Sequence, residues 1–574
     1  MSDQKLENLL NLALGATEKE REESLELEVG YDMEDRVWDL IVRFSGEPED
    51  IAMEGVVVTP LLGQYAIVKI PQPLIYSFAE QTAVEYVEKP KRLYFALDQS
   101  RIASCINQVQ SGLFDLKGSG VWVACIDSGI DYSHPDFLRP DGSSRILYLW
   151  DQTIPGNPPP GYALGSLYTK EDIDRALASD EPMEVVPSRD FSGHGTSVMG
   201  AAAGNGASSG GIYRGAAPES DLIVVKLGTP GEDSFPRTTE LMQAVDFVVR
   251  LAAAHGVPAA INLSFGNTYG SHSGDSLLET YLDVAAGVGR SVICVGTGND
   301  GALGGHYSGI LQEGAVSEVQ MAVSAYETTL NVQLWKRYAD EVDIVLIHPD
   351  GTQIGPVRAV QEPQRLNFRN TEVLFYYGEP APHSTAQEIY FDFLPKENYI
   401  DSGVWTFRLI PGRIVTGDFD MWMPGGRVLN EATRFYEPDP GRTLTIPSTA
   451  QQVIAVGAYD SRLLSYAGFS GRGYTRVTNQ VKPDLAAPGV DITVPKGGGG
   501  YRSVTGTSFA TPIVTGSAAL LMEWGIIRGN DPYLYGEKVK AYLIKGARQL
   551  PGFSEFPNPQ VGYGALCLRE SLPV

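Results

Sequence analysis

Cysteine is scarce: four in 574 residues, at positions 105, 125, 294 and 567, with no paired CxxC spacing. That excludes a disulfide-dense scaffold and a thiolate zinc site, and the chain reads as made in a reducing compartment. Charge is modest at 20% of residues and one sign dominates, with 70 Asp and Glu against 44 Lys and Arg, a net of −26. No Lys/Arg run overrides that repulsion locally, so no nucleic acid partner is expected. No apolar run of about 18 residues is evident, so no membrane span is expected. The start, Met1-Ser2-Asp3-Gln4-Lys5-Leu6-Glu7, has no basic stretch leading into an apolar one, and Sec export is not expected.

What the chain has in quantity is glycine, 63 residues, and proline, 37, over a length that predicts three or four structural units at about 100 to 200 residues each. Residues 1 to 96 carry 9 Lys and Arg against 19 Asp and Glu, a net of −10, and read as a separate unit. Within it Leu6, Leu9, Leu10, Ala13 and Leu14 fall at helical spacing, while residues 37 to 44 and 65 to 70 alternate like half-buried strands, which predicts a small α+β domain. From residue 120, apolar strands at 121–126, 222–227, 259–263 and 291–295 alternate with helical stretches such as 239–255. That alternation implies a parallel sheet covered by helices on both faces.

Between about residues 309 and 447 the helical period vanishes. Alternating segments at 329–334, 342–348, 373–377, 388–393 and 403–409, separated by turn signals, predict an antiparallel sandwich. The α/β pattern resumes at 453–456, so the sandwich reads as an insertion. The resulting division is 1–97, 98–309, 310–446 for the insertion, and 447–574.

Three short segments carry candidate chemistry. Ile126-Asp127-Ser128-Gly129-Ile130 puts an acid at the end of a buried strand; Ser192-Gly193-His194-Gly195-Thr196 puts a histidine at the head of a small-residue helix; Gly506-Thr507-Ser508-Phe509-Ala510-Thr511-Pro512 puts a serine at the head of an apolar one. Each alone reads as well as a helix cap or a satisfied buried histidine. Together, acid then histidine then serine is one of the few chain orders of the nucleophilic triad, each residue at the carboxyl edge of a parallel sheet.

At these residues the sequence resembles the subtilisin-type serine proteases, the subtilases. The resemblance covers nearly all of 120–309 and 446–574 and extends to His134-Pro135-Asp136-Phe137, Ser264-Phe265-Gly266, Gly296-Thr297-Gly298-Asn299 and Lys482-Pro483-Asp484-Leu485-Ala486-Ala487-Pro488-Gly489. It implies an α/β, subtilisin-like three-layer parallel sheet, with an N-terminal α+β propeptide domain and the inserted β-sandwich. It implies a serine endopeptidase in which His194 takes the Ser508 proton, Asp127 fixes the imidazole tautomer, and the Asn299 side-chain amide with the Ser508 backbone N–H holds the oxyanion.

Ser264, Phe265 and Gly266 resemble the family's substrate-binding strand, with Lys226, Leu227 and Gly228 opposite. Gly296, Thr297 and Gly298 read as leaving room beside the P1 pocket, which points to tolerance of large P1 side chains. The unit before residue 97 is expected to be a propeptide that the enzyme itself cuts within Tyr94, Phe95, Ala96, Leu97, Asp98 and Gln99.

The whole layout resembles the clostridial Csp group of spore-germination subtilases, whose insertion is a jelly roll and whose cleaved propeptide can stay bound. That implies the cytoplasm or the spore as location and a protein or peptide substrate such as a cortex-hydrolase zymogen. The alternatives are a non-catalytic Csp-like signalling scaffold and a general intracellular subtilisin.

Many subtilases bind calcium. The acidic loop expected at 172–180 has no EF-hand spacing and the histidines no ligand spacing, so no metal and no cofactor are assigned. Gly497 to Gly500 read as a flexible connection rather than a phosphate loop, and Cys125 and Cys294 as small core hydrophobes.

Overall fold

The computed structural model describes residues 5–24, 27, 29–32, 35–90, 98–228, 236–360, 362–382, 384–425 and 428–573, in two compact units, Met1–Phe95 and Ala96–Val574. In the first unit, strand Val37–Phe44 alternates its burial residue by residue and pairs antiparallel with Tyr65–Pro71 and Val84–Glu88. The buried side, with Trp38, Leu40, Val42 and Phe44, packs with Leu10 and Ala13 of helix Asn8–Gly15 and with Phe78 of helix Ile75–Ala79. This is the α+β unit read from the periodicities.

The second unit is built on a sheet ordered Ser465–Tyr466, Ile454–Asp460, Ser291–Gly296, Ala259–Leu263, Trp122–Asp127, Asp221–Lys226, Ile146–Asp151 and Ser166–Thr169. All but the two end strands run parallel. Strand Trp122–Asp127 is buried along its whole length because helices cover both faces. Val123 and Cys125 meet helices His194–Ala203 and Thr507–Met522, whereas Trp122, Ala124 and Ile126 meet Thr238–His255 and Leu277–Ala286. This is the subtilisin-like α/β layering expected.

Between strands Ser291–Gly296 and Ile454–Asp460 the chain builds a sandwich of a six-stranded and a five-stranded sheet, from His306–Ile310 to Arg434–Phe435. Its aromatic core joins the two sheets, with Phe391 and Phe407 ring centroids 5.0 Å apart and Phe393 and Trp405 5.1 Å apart.

Four features differ from the sequence reading. Cys105 and Cys567, 462 residues apart, form a disulfide, where scarcity had suggested reduced thiols. Residues 507 to 527 form one helical run long and apolar enough to cross a membrane; 83% of its apolar window is buried, because it is the central core helix. The acidic segment expected as a loop is helix Lys170–Leu177, with Asp172 in its capping box and Asp174 paired to Lys170. The glycine run is not a flexible connection but the tip of a hairpin between Ile492–Pro495 and Tyr501–Val504. Gly498, Gly499 and Gly500 all have positive φ there, which glycine tolerates without strain.

Candidate active site

A parallel sheet delivers side chains to its carboxyl edge, and here four neighbouring strands end together. Asp127 closes Trp122–Asp127 and is in register with Lys226; Leu263 lies beside Ile126 and leads into Ser264; Gly296 leads into Asn299. The helices bearing His194 and Ser508 begin above that edge, so their positive N-termini face it.

Asp127 Oδ1 accepts from the Ser128 N–H at 2.7 Å and lies 2.7 Å from His194 Nδ1. Asp127 is buried and His194 part-exposed, so the acid sits behind the base and the imidazole's other edge faces solvent. The Asp127 carboxylate, seconded by Asp190, raises the imidazole above its ordinary value, against desolvation and the Arg502 guanidinium.

The His194 ring centroid is 5.5 Å from that of Phe509, which brings the imidazole to the first turn of the serine helix. There the Ser508 hydroxyl donates to the Ser264 carbonyl at 3.0 Å, and Ser264 Oγ donates back to the Ser508 carbonyl at 3.1 Å. Among the described residues no hydrogen bond joins His194 and Ser508: the hydroxyl is parked on the 264–266 segment.

Asn299 is oriented by its neighbours. Its Oδ1 accepts from the Thr507 N–H at 3.0 Å and the Thr507 hydroxyl at 3.3 Å, which leaves the amide nitrogen as the donor end. Beside it, the Ser508 N–H lies in the first turn of a helix, among the amides that have no intrahelical acceptor. The two donors suit an oxygen that gains negative charge.

Two cavities flank the 264–266 segment. One, of about 550 Å³, has Asp127, Ser128, His194, Lys226, Leu227 and Phe265 on its wall. The other, of about 290 Å³, has Ser264, Phe265, Gly266, Gly296, Gly298, Asn299 and Ser508 on its wall. Leu227 N–H donates to the Asp127 carbonyl at 2.8 Å, which holds the Lys226 side against the sheet edge. Thr297 and Gly228 line neither cavity; Thr297 is buried with its hydroxyl 3.3 Å from Ser470 Oγ. Phe95, Ala96 and Leu97 lie outside the described residues, and Asp98 and Gln99 open helix Asp98–Ala103.

The small residues at 296 and 298 are also held by packing. A Cβ on Gly298 would meet Thr445 Cγ2 at 2.3 Å, and one on Gly296 would meet Thr511 Oγ1 at 3.0 Å. Both glycines stand on the wall of the smaller cavity, and packing against Thr445 and the serine helix also requires them.

Asp190, four residues before His194, escaped the sequence reading. Its carboxylate accepts from the Gly193 and Thr196 N–H groups at 2.9 and 2.8 Å, and from the hydroxyls of Thr196, Ser128 and Ser192 at 2.7, 2.8 and 3.2 Å. Burial pushes its carboxyl up, yet these donors hold it net below the usual range. Ser128 in turn accepts from Gly195 N–H at 2.9 Å, so one acid ties the Asp127 turn to the His194 turn. An acid preceding a small-residue helix is a capping signal that could have found it. No group of three or more His, Cys, Asp or Glu among the described residues could hold a metal ion.

The chain is similar to several known proteins. A model described as the subtilase family matches residues 118–385 and 430–564, and one described as the Csp protease B prodomain matches residues 4–91. The solved CspB protease of Clostridium perfringens is similar at a TM-score of 0.77 and 35% identity, over 83% of this chain and 97% of that one. Among curated proteins, the minor extracellular protease Vpr of Bacillus subtilis (strain 168) is 24% identical over 467 residues, 78% of this chain and 50% of Vpr. The serine protease AprX of the same organism is 33% identical over 156 residues, 24% of this chain and 33% of AprX. The chain spans half or less of the length of these two curated relatives.

Proposed function

This chain belongs to the subtilase family, and from that premise we propose that it is a serine endopeptidase using Asp127, His194 and Ser508. In that reaction Ser508 Oγ attacks the scissile carbonyl carbon while its proton passes to His194 Nε2. The oxyanion is held by the Asn299 amide and the Ser508 N–H. The C–N bond then breaks as the imidazolium gives its proton to the leaving amine, and water hydrolyses the acyl-enzyme by the same relay. The observation that carries the reading is the 2.7 Å Asp127–His194 bond at the sheet edge, beside the first turn of the helix that begins with Thr507 and Ser508. Attack requires the Ser508 hydroxyl to leave the Ser264 carbonyl by rotation about Cα–Cβ.

The substrate is an extended segment of a protein, laid along residues 264–266 with Lys226, Leu227 and Gly228 opposite. Backbone pairing there supplies affinity with little sequence bias. Residues 1 to 97 act as a propeptide that the enzyme removes, supported by the match to a Csp protease B prodomain over 4–91. The resemblance of the whole layout to the Csp group of spore-germination subtilases supports a protein zymogen in the spore as that substrate. The parked hydroxyl also suits a scaffold that senses without turnover, and one probe separates the two readings. A fluorophosphonate should label Ser508 in the full-length protein, and Ser508→Ala should remain one species near 62 kDa on a denaturing gel. Absence of label, or processing that continues in the variant, would overturn the proposal.

A further inference from the structure

The 290 Å³ cavity beside Asn299 is not walled by the α/β body alone. Pro424, Gly425 and Val428, which follow sandwich strand Asp418–Trp422, form part of its wall, and so does Thr445, on the segment returning from the sandwich to the sheet. We infer that the inserted sandwich is part of the specificity machinery: Thr445 sets the floor of the P1 pocket, and Gly425 keeps its outer wall open. This rests on the endopeptidase reading above.

Thr445 is wedged between the two segments that any P1 side chain must enter between. Its N–H donates to the Thr297 carbonyl at 3.0 Å. Its neighbour Ile446 exchanges two backbone bonds with Asn267, at 2.7 and 3.0 Å. A Cβ on Gly266 would meet Thr445 Oγ1 at 2.7 Å, and one on Gly298 would meet Thr445 Cγ2 at 2.3 Å. Both walls therefore close on the same side chain, and a P1 group passing between them ends on it.

Gly425 is open to substitution on backbone grounds, having no positive φ, but a Cβ there would come to 2.4 Å from Asp300 Oδ2 and 3.0 Å from Thr268 Cγ2, both residues of the pocket wall. Any side chain at 425 must therefore displace Asp300 or Thr268 and reshape that wall. The wall is anchored to the substrate segment's own continuation: Thr268 Oγ1 donates to the Met423 carbonyl at 2.9 Å, and the His272 ring stacks on Trp422 with centroids 4.1 Å apart. The insertion is attached to the residues that present the P1 pocket, which a bystander domain would not need.

One extra methylene in an apolar pocket changes selectivity by about tenfold or more. Full-length wild type, Thr445→Ala and Gly425→Val are compared on a series of peptides differing only at P1 as Ala, Leu, Gln and Phe, reading kcat and KM separately. Thr445→Ala should raise the Phe-to-Ala ratio of kcat/KM by about tenfold, and Gly425→Val should lower it by about as much. If both variants change all four peptides by one common factor, the inference falls while the protease reading stands. If wild type hydrolyses none of the four and no fluorophosphonate labels Ser508, both fall. If Gly425→Val does not fold, the Thr445→Ala ratio alone decides.

Discussion

The two cavities on either side of residues 264–266 are built from different parts of the chain. The larger is lined by the α/β body, with Asp127, His194 and Lys226; the smaller shares Asn299 and Ser508 with that body but takes Pro424, Gly425, Val428 and Thr445 from beyond it. Asp127 thus sits where a sheet strand ends, with His194 and Ser508 at the heads of helices. Selection sits where an inserted domain leans on the substrate segment. A domain added in that place can change what is cut without disturbing how it is cut.

That division can be broken at its strongest point first. Ser508→Ala should reduce turnover by about a millionfold, as removal of the nucleophile does in subtilisin, with the fold unchanged by circular dichroism. Asn299→Ala should cost about a hundred- to a thousandfold in kcat with little change in KM, because the donor acts on charge present only in the transition state.

Asp190→Asn tests whether the clamp behind His194 belongs with the chemistry. Asp190 helps raise the His194 pKa, and the imidazole must be neutral to act as base, so wild-type activity should fall as pH drops through a value above the ordinary 6.5. Removing the charge should move that acid limb to lower pH and reduce kcat/KM by about tenfold. A drop in stability with an unmoved pH profile would make Asp190 a fold residue only.

The smallest expected effect on rate lies at a bridge that lines neither cavity. Cys567→Ser should leave kcat/KM at 25 °C within about twofold, while lowering unfolding stability by about 2–4 kcal/mol in a denaturant titration.

Much of the scaffold was legible because local pattern and global burial agree. The run at 121–126 appears as Trp122–Asp127, and the alternation at 342–348 as Val342–Ile347. Residues 388–393 lie within Ala386–Pro395. Asp127, His194 and Asn299 were visible for a related reason: short motifs at strand ends and helix heads carry their own context. Asp190 carries a weaker signal, an acid just ahead of a small-residue helix. The Cys105–Cys567 bridge and the Thr445 wedge were not readable, since neither has any local signature.

Sequence alone settled the period of the long strands and helices, the order of acid, histidine and serine, and the existence of an insertion, because spacing and burial preference act over a few residues. The folded chain decided which distant segments meet. Close packing of residues hundreds of positions apart put Thr445 against Gly298, turned the Ser508 hydroxyl toward Ser264 and gave the sandwich a share in the P1 pocket. Such contacts depend on volume and shape in three dimensions, which no one-dimensional pattern records.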